Sequence, residues 1–164
     1  MSDQYKKGDA LVRFGRVYQI FKIKDKKVKG EKQPVLFYKR VFPGRAGNVT
    51  CSIPAANLNK IETRRPHLKK DFTEFFKVLK KTTLSEDEDL KINGIKNPQN
   101  LDFSDQAILI KKLWLEKKDP AIKTSFSKKN LLSSLLRSVK EELAYVYQLD
   151  LDAAQEKIES MLNS

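Results

Sequence analysis

Cys51 is the chain's only cysteine and His67 its only histidine. Two such residues fall short of the ligand set that a zinc site takes, and the acidic residues show no metal-binding spacing either. No serine, cysteine or threonine stands in a pattern with a base, and no glycine-rich loop offers itself to a phosphate. With these constellations missing, the chain is expected not to be an enzyme, with no catalytic residue, metal, cofactor or small-molecule substrate. A lone cysteine makes no internal disulfide and fits a reducing compartment. His67, beside Pro66, reads as a linker or surface residue.

The chemistry left is cationic. The 164 residues carry 33 Lys/Arg against 21 Asp/Glu, a net charge of +12. That balance suits a polyanion such as nucleic acid, or a Lys-rich chain that merely stays solvated. The excess is local. Residues 1–66 hold 16 Lys/Arg and 5 Asp/Glu, while residues 67–164 hold 17 and 16. Within the second part, Lys111, Lys112, Lys117, Lys118, Lys123, Lys128 and Lys129 face only Glu116 and Asp119. A duplex held there would lie along "KKDPAIKTSFSKK", with backbone N–H groups near Ser125–Lys129 at a helix start favouring a phosphate. The same lysines also suit an ordinary solvated face. Tyr5, Tyr18, Phe37 and Tyr38 in the basic first part could stack on bases, which keeps open a general nucleic-acid-binding role for that part alone.

Two kinds of element must position these groups. Before Pro66, short β-rich runs ("ALVRF", "VYQIFKI", "PVLFYKRVF", "NVTCSI") are separated by turn-like "KDKKVKGEKQ" and "PGRAGN". Four or five short antiparallel strands in a small barrel or curled sheet are expected. After Pro66 the period becomes helical. Leu68, Phe72, Phe75, Phe76 and Leu79 share one face, and Ala107, Ile110, Leu113 and Trp114 another, behind Ser104 and Asp105 as start signals. A long run through Leu131–Val146 and a last helix capped by Asp150 or Asp152 follow. The expected fold is α+β with two domains, 1–66 and 67–164. No apolar run nears the roughly 20 residues that span a bilayer. The opening "MSDQYKKGD" has no signal-peptide core.

In "NVTCSIP", Val49, Cys51 and Ile53 alternate with Thr50 and Ser52 until Pro54 stops the pattern. This strand has one apolar and one hydroxyl face, and its period alone leaves open an interior or an edge position. The ordered set of segments resembles the CarD-like (CarD/CdnL) bacterial transcription regulators, whose N-terminal module is shared with transcription-repair coupling factor. "YKKGDALVRFGRVYQIFKI" is similar to the family's opening Gly-Asp and strand–turn–strand. "VKGEKQPVLFYKRVF" is similar to its second hairpin. "VTCSIPAANLNKIETRRP" is similar to its strand, proline, helical turn and basic exit. "SFSKKNLLSSLLRSVKEELAYVYQLDLDAAQEKIESMLN" is similar to its closing helix pair.

The resemblance implies a Tudor-like small antiparallel β-barrel that binds the RNA polymerase β subunit, followed by a compact all-α domain that touches promoter DNA. It implies a monomer acting on open-complex stability, located in the cytoplasm with the nucleoid and not in a membrane. The polymerase contacts it implies are Asn48, Val49, Thr50, Cys51, Ser52, Ile53 and Pro54, with Thr50 and Ser52 outward and Val49, Cys51 and Ile53 anchoring. Lys26 matches a basic hairpin position, whereas Ser52 stands where the family has a basic residue. DNA contacts are expected from Lys111, Lys117, Lys118, Lys123, Ser125, Lys128 and Lys129. The family's tryptophan wedge falls within Leu84–Asp87 here, while Trp114 matches a core tryptophan. Either Leu84 is a smaller wedge or the chain has no wedge of that type. The acids Glu86–Asp89 would face the polymerase or cap a helix.

Overall fold

A computed structural model describes residues 5–45, 47–93 and 101–164. Residues 1–4 of the opening segment and Ala46 of "PGRAGN" lie outside them. The chain divides into two compact units, Met1–Pro66 and His67–Ser164. It is an α+β protein, with a five-stranded antiparallel sheet followed by helices.

The first unit holds β1 (Ala10–Arg13), β2 (Arg16–Val28), β3 (Glu31–Arg40), β4 (Thr50–Pro54) and β5 (Thr63–Arg64), ordered β4-β3-β2-β1-β5. No described pair joins β4 to β5, so the hydrogen-bonded ladder has two rims. Two-residue turns set its register. Phe14 and Gly15 both have positive φ, as do Lys29 and Gly30, and such turns match the twist of the strands they join. Leu11, Ile20, Leu36, Tyr38 and Ile53 form the core, with Cys51 and Leu58 packed against it. Burial of each large apolar side chain contributes about 1.5–3 kcal/mol.

The stretch "KDKKVKGEKQ", expected as a turn, is mostly strand. β2 and β3 continue through Lys26↔Gln33 and Val28↔Glu31, beyond the last β1 and β4 pairings. A two-stranded ribbon is wetted on both faces, so it shows no apolar alternation to read. A bulge between Ile20 and Lys22 reverses which side chains of β2 face the core.

The second unit holds α1 (Lys69–Leu79), α2 (Glu86–Asn93), α3 (Phe103–Lys118), α4 (Phe126–Tyr147) and α5 (Leu151–Leu162). Asp102, Ser125 and Asp150 each accept from the backbone N–H three residues on, as N-cap residues do. Phe72, Phe75, Phe76, Phe103 and Tyr147 meet in one aromatic cluster. His67 is not a free linker residue. It stacks on Phe103 at 3.8 Å, and its Nδ1 lies 2.8 Å from Glu142 Oε1. No helix among the described residues is long and apolar enough to cross a membrane.

Candidate docking strand and nucleic-acid interface

β4 pairs with β3 alone, from Thr50↔Lys39 to Ile53↔Leu36 and Pro54↔Val35. Its other side is a rim of the sheet. Thr50 and Ser52 are exposed, and Ile53 and Cys51 point into the core. Pro54 has no N–H to give to β3, so its parity, shared with Ser52 and Thr50, suits positions whose N–H groups face the rim. Val49 departs from expectation. It precedes β4 and is 61% exposed, so it anchors nothing. Asn48 is likewise exposed outside the strand.

Lys26 and β4 share a sheet face. The Lys26 ammonium lies 4.8 Å from the Phe37 ring centroid, with Lys22 at 5.6 Å, and Phe37 is the register partner of Ser52. Such cation–π contacts hold long side chains over the sheet at a cost in freedom that the ring partly offsets. Farther out, Lys24, Lys26, Lys27, Lys29 and Lys32 stand exposed on the ribbon beside Asp25 and Glu31.

In the helical unit the seven lysines from Lys111 to Lys129 separate into three groups. Lys111, expected on DNA, is only 1% exposed and cannot reach a phosphate. Its Nζ donates to Leu79 O at 2.8 Å and Leu162 O at 3.0 Å, the last residues of α1 and α5. A cation there satisfies carbonyls that a helix end leaves unpaired and suits the negative end of the helix dipole. Desolvation lowers the Lys111 pKa. Spacing along α3 does not single it out, since Lys112 follows the buried Leu109 and Ile108 just as Lys111 follows Ile108 and Ala107.

Lys112 and Lys128 are engaged with acids. Lys112 Nζ is 2.6 Å from Asp89 Oδ1, tying α3 to α2, and Lys128 Nζ is 3.0 Å from Glu116 Oε2. That second contact sets the first turn of α4 beside the last turn of α3. Lys117, Lys118, Lys123 and Lys129 are exposed, with no ion pair among the described residues. Lys117 and Lys118 lie 5.7 and 5.0 Å from the ring centroid of Trp114, which is half-buried and not fully in the core. Ser125 is spent as a cap, its Oγ accepting from Lys128 N.

Leu84 lines a shallow groove of about 370 Å³ with Lys112 and the acids Glu86, Asp89, Glu116 and Asp119, and the excess of carboxylates there repels a phosphate. The acidic run caps α2. Glu88 N donates to Ser85 Oγ at 3.2 Å, and Ser85 N donates to Glu88 Oε1 at 3.1 Å. This reciprocal box, with acids in the first turn, is the favourable arrangement for a helix start. Among the described residues no cluster of His, Cys, Asp and Glu is arranged to hold a metal ion.

No family model matches the chain, and no curated protein matches its sequence.

Proposed function

We propose that the chain is a transcription regulator without catalytic activity. Its first unit docks on the RNA polymerase β subunit by adding β4 to a strand of that partner. Its helical unit rests on promoter DNA through Lys117, Lys118, Lys123 and Lys129, modulating the stability of the open complex. The observation that carries this reading is the free rim of β4, with Thr50 and Ser52 exposed beside it. A rim of unpaired main-chain groups is the feature that strand addition uses. The five-strand antiparallel sheet supports the β module of the resemblance, and its closure into a Tudor-like barrel is part of the proposal. Lysines on one helix end and one connector suit a duplex backbone without a sequence code.

The test uses the full chain carrying Thr50→Pro. Proline removes a rim N–H and leaves the core residues Cys51 and Ile53 in place. Retention on immobilised polymerase β subunit is expected to fall at least ten-fold while duplex affinity stays within two-fold. Undiminished retention, with circular dichroism unchanged, removes the docking half of the proposal.

A second reading has one observation in its favour, the five exposed lysines of the ribbon. There the first unit would itself hold nucleic acid, as two-stranded β-ribbons do. Lys27→Glu with Lys29→Glu decides between them. Under the second reading the salt dependence of DNA binding flattens by close to one unit of slope per lost phosphate contact, roughly 0.9 on duplex. Under the first reading it does not move.

A further inference from the structure

Phe14 is the first residue of the turn between β1 and β2, with φ at +51°. A turn of this kind favours Asn, Asp or Gly there, and a bulky side chain is strained in the left-handed region. Packing does not compensate, because the side chain is 75% exposed. Its one ring contact among the described residues is the Arg13 guanidinium, 4.8 Å from the centroid. The fold does not account for a phenylalanine at this place, and strain kept under an exposed aromatic ring points to a ligand.

At this end of the core face the cations are arginines, whereas those of the ribbon are all lysines. Arg13 and Arg16 are direct register partners, and Arg40 pairs with Tyr18, two residues along β2 from Arg16. All three leave neighbouring strands on the face that carries Leu11, Tyr18 and Tyr38, and all three are half-buried. Burial and the nearby Cys51 raise the Tyr18 pKa, and the charges of Arg40 and Arg13 oppose them, so both guanidinium groups lie near that phenol. Arg13 Nη1 donates to Tyr38 Oη at 2.9 Å, while Arg13 Nε is buried with no hydrogen-bond partner among the described residues. Like charges on facing residues of a ladder repel. An anion bound over them offsets that repulsion, and a guanidinium meets phosphate oxygens with two parallel donors.

Three guanidinium groups beside an open aromatic face suit a ligand that joins several phosphates to a flat ring. An acidic segment answers the charge without using the ring, and inorganic phosphate leaves it bare. We infer that this end of the first unit binds a nucleoside di- or triphosphate. The base stacks on the face of Phe14 turned away from Arg13, and the phosphates lie on Arg13, Arg16 and Arg40. The nucleotide is bound and no bond in it breaks. The site needs neither the polymerase nor DNA.

The test titrates the full chain at low salt, by calorimetry, with ATP, GTP, AMP and inorganic tripolyphosphate. Wild type is expected to bind both triphosphates and to bind AMP more weakly. Phe14→Asn, which suits the turn, is expected to raise the urea midpoint and yet to weaken ATP by about five- to one-hundred-fold, the range for a lost base–aromatic stack. Its affinity for tripolyphosphate is expected to stay that of wild type. Phe14→Tyr is expected to bind ATP as wild type does. Arg16→Gln is expected to weaken ATP and tripolyphosphate alike, by about ten-fold or more, as for a lost hydrogen bond to a charged group.

Wild type that binds neither ATP, GTP nor tripolyphosphate overturns the site. ATP affinity unmoved by Phe14→Asn overturns the nucleotide, since the phosphates alone then suffice. ATP affinity unmoved by Arg16→Gln overturns the arginine face as the phosphate contact. A urea midpoint lowered by Phe14→Asn overturns the premise, because the ring then serves the fold.

Discussion

Substituting Lys111 puts the buried ammonium to a quantitative test. Lys111→Met keeps most of the stem volume but strands the Leu79 and Leu162 carbonyls, which Nζ now serves at 2.8 and 3.0 Å. Each orphaned buried acceptor costs about 1–3 kcal/mol. Against this, the wild-type fold carries a desolvation penalty of several kcal/mol, which the variant escapes in part. The net expectation at pH 7 is a loss of about 1–3 kcal/mol, read by urea unfolding with the slope unchanged. Lys111→Ala adds a cavity and is expected to lose about 1–2 kcal/mol more.

The pH dependence supplies the sharper arm. Burial lowers the Lys111 pKa from its ordinary value of 10.5. Below the folded-state pKa both states hold the proton, and the penalty stands in full. Between the folded and unfolded values the unfolded chain binds more protons, so wild type gains stability as pH rises through that window. The variant lacks the group. The stability gap between wild type and Lys111→Met is therefore expected to widen from pH 7 towards pH 10, and other titrations cancel in the difference. A gap that stays flat or narrows would refute the buried, desolvated ammonium. A marked loss of duplex affinity by a folded Lys111→Met chain would return Lys111 to the DNA surface.

Gly30 has φ +85° and open space where a Cβ would sit, so Gly30→Ala meets strain and no clash. It is expected to cost about 1 kcal/mol, visible as faster amide exchange in the ribbon and not in β1. Removing the Ser85 side of the α2 cap with Ser85→Ala is expected to cost about 1 kcal/mol, with faster exchange confined to the first turn of α2. Uniform loss of protection across the helical unit would show that the cap matters beyond its own helix.

The boundary at Pro66 was legible because the apolar period changes there, from alternation to helical spacing. So was the alternation of β4, since Cys51 and Ile53 obey the strand rule. The rim was not legible from period alone, because an edge strand and an interior strand alternate alike; pairing partners lie far off in sequence. Lys111 went unread for a different reason. In "ILIKKLWL" the two lysines are chemically identical, and only the packing of α1 and α5 selects which one is enclosed. Val49 was over-read, as the alternating pattern runs one residue past the strand that bears it.

Under the proposed docking, the brevity of β4 limits what can pair with its rim. With five residues, and a proline followed directly by a 3-10 helix at its far end, the strand gives a visitor no room to slide. A single alignment fits, and additional copies find no continuous shelf on which to grow. Attachment by so few main-chain bonds is easily undone, so a sheet built this way suits repeated engagement and release and guards the chain against fibre formation.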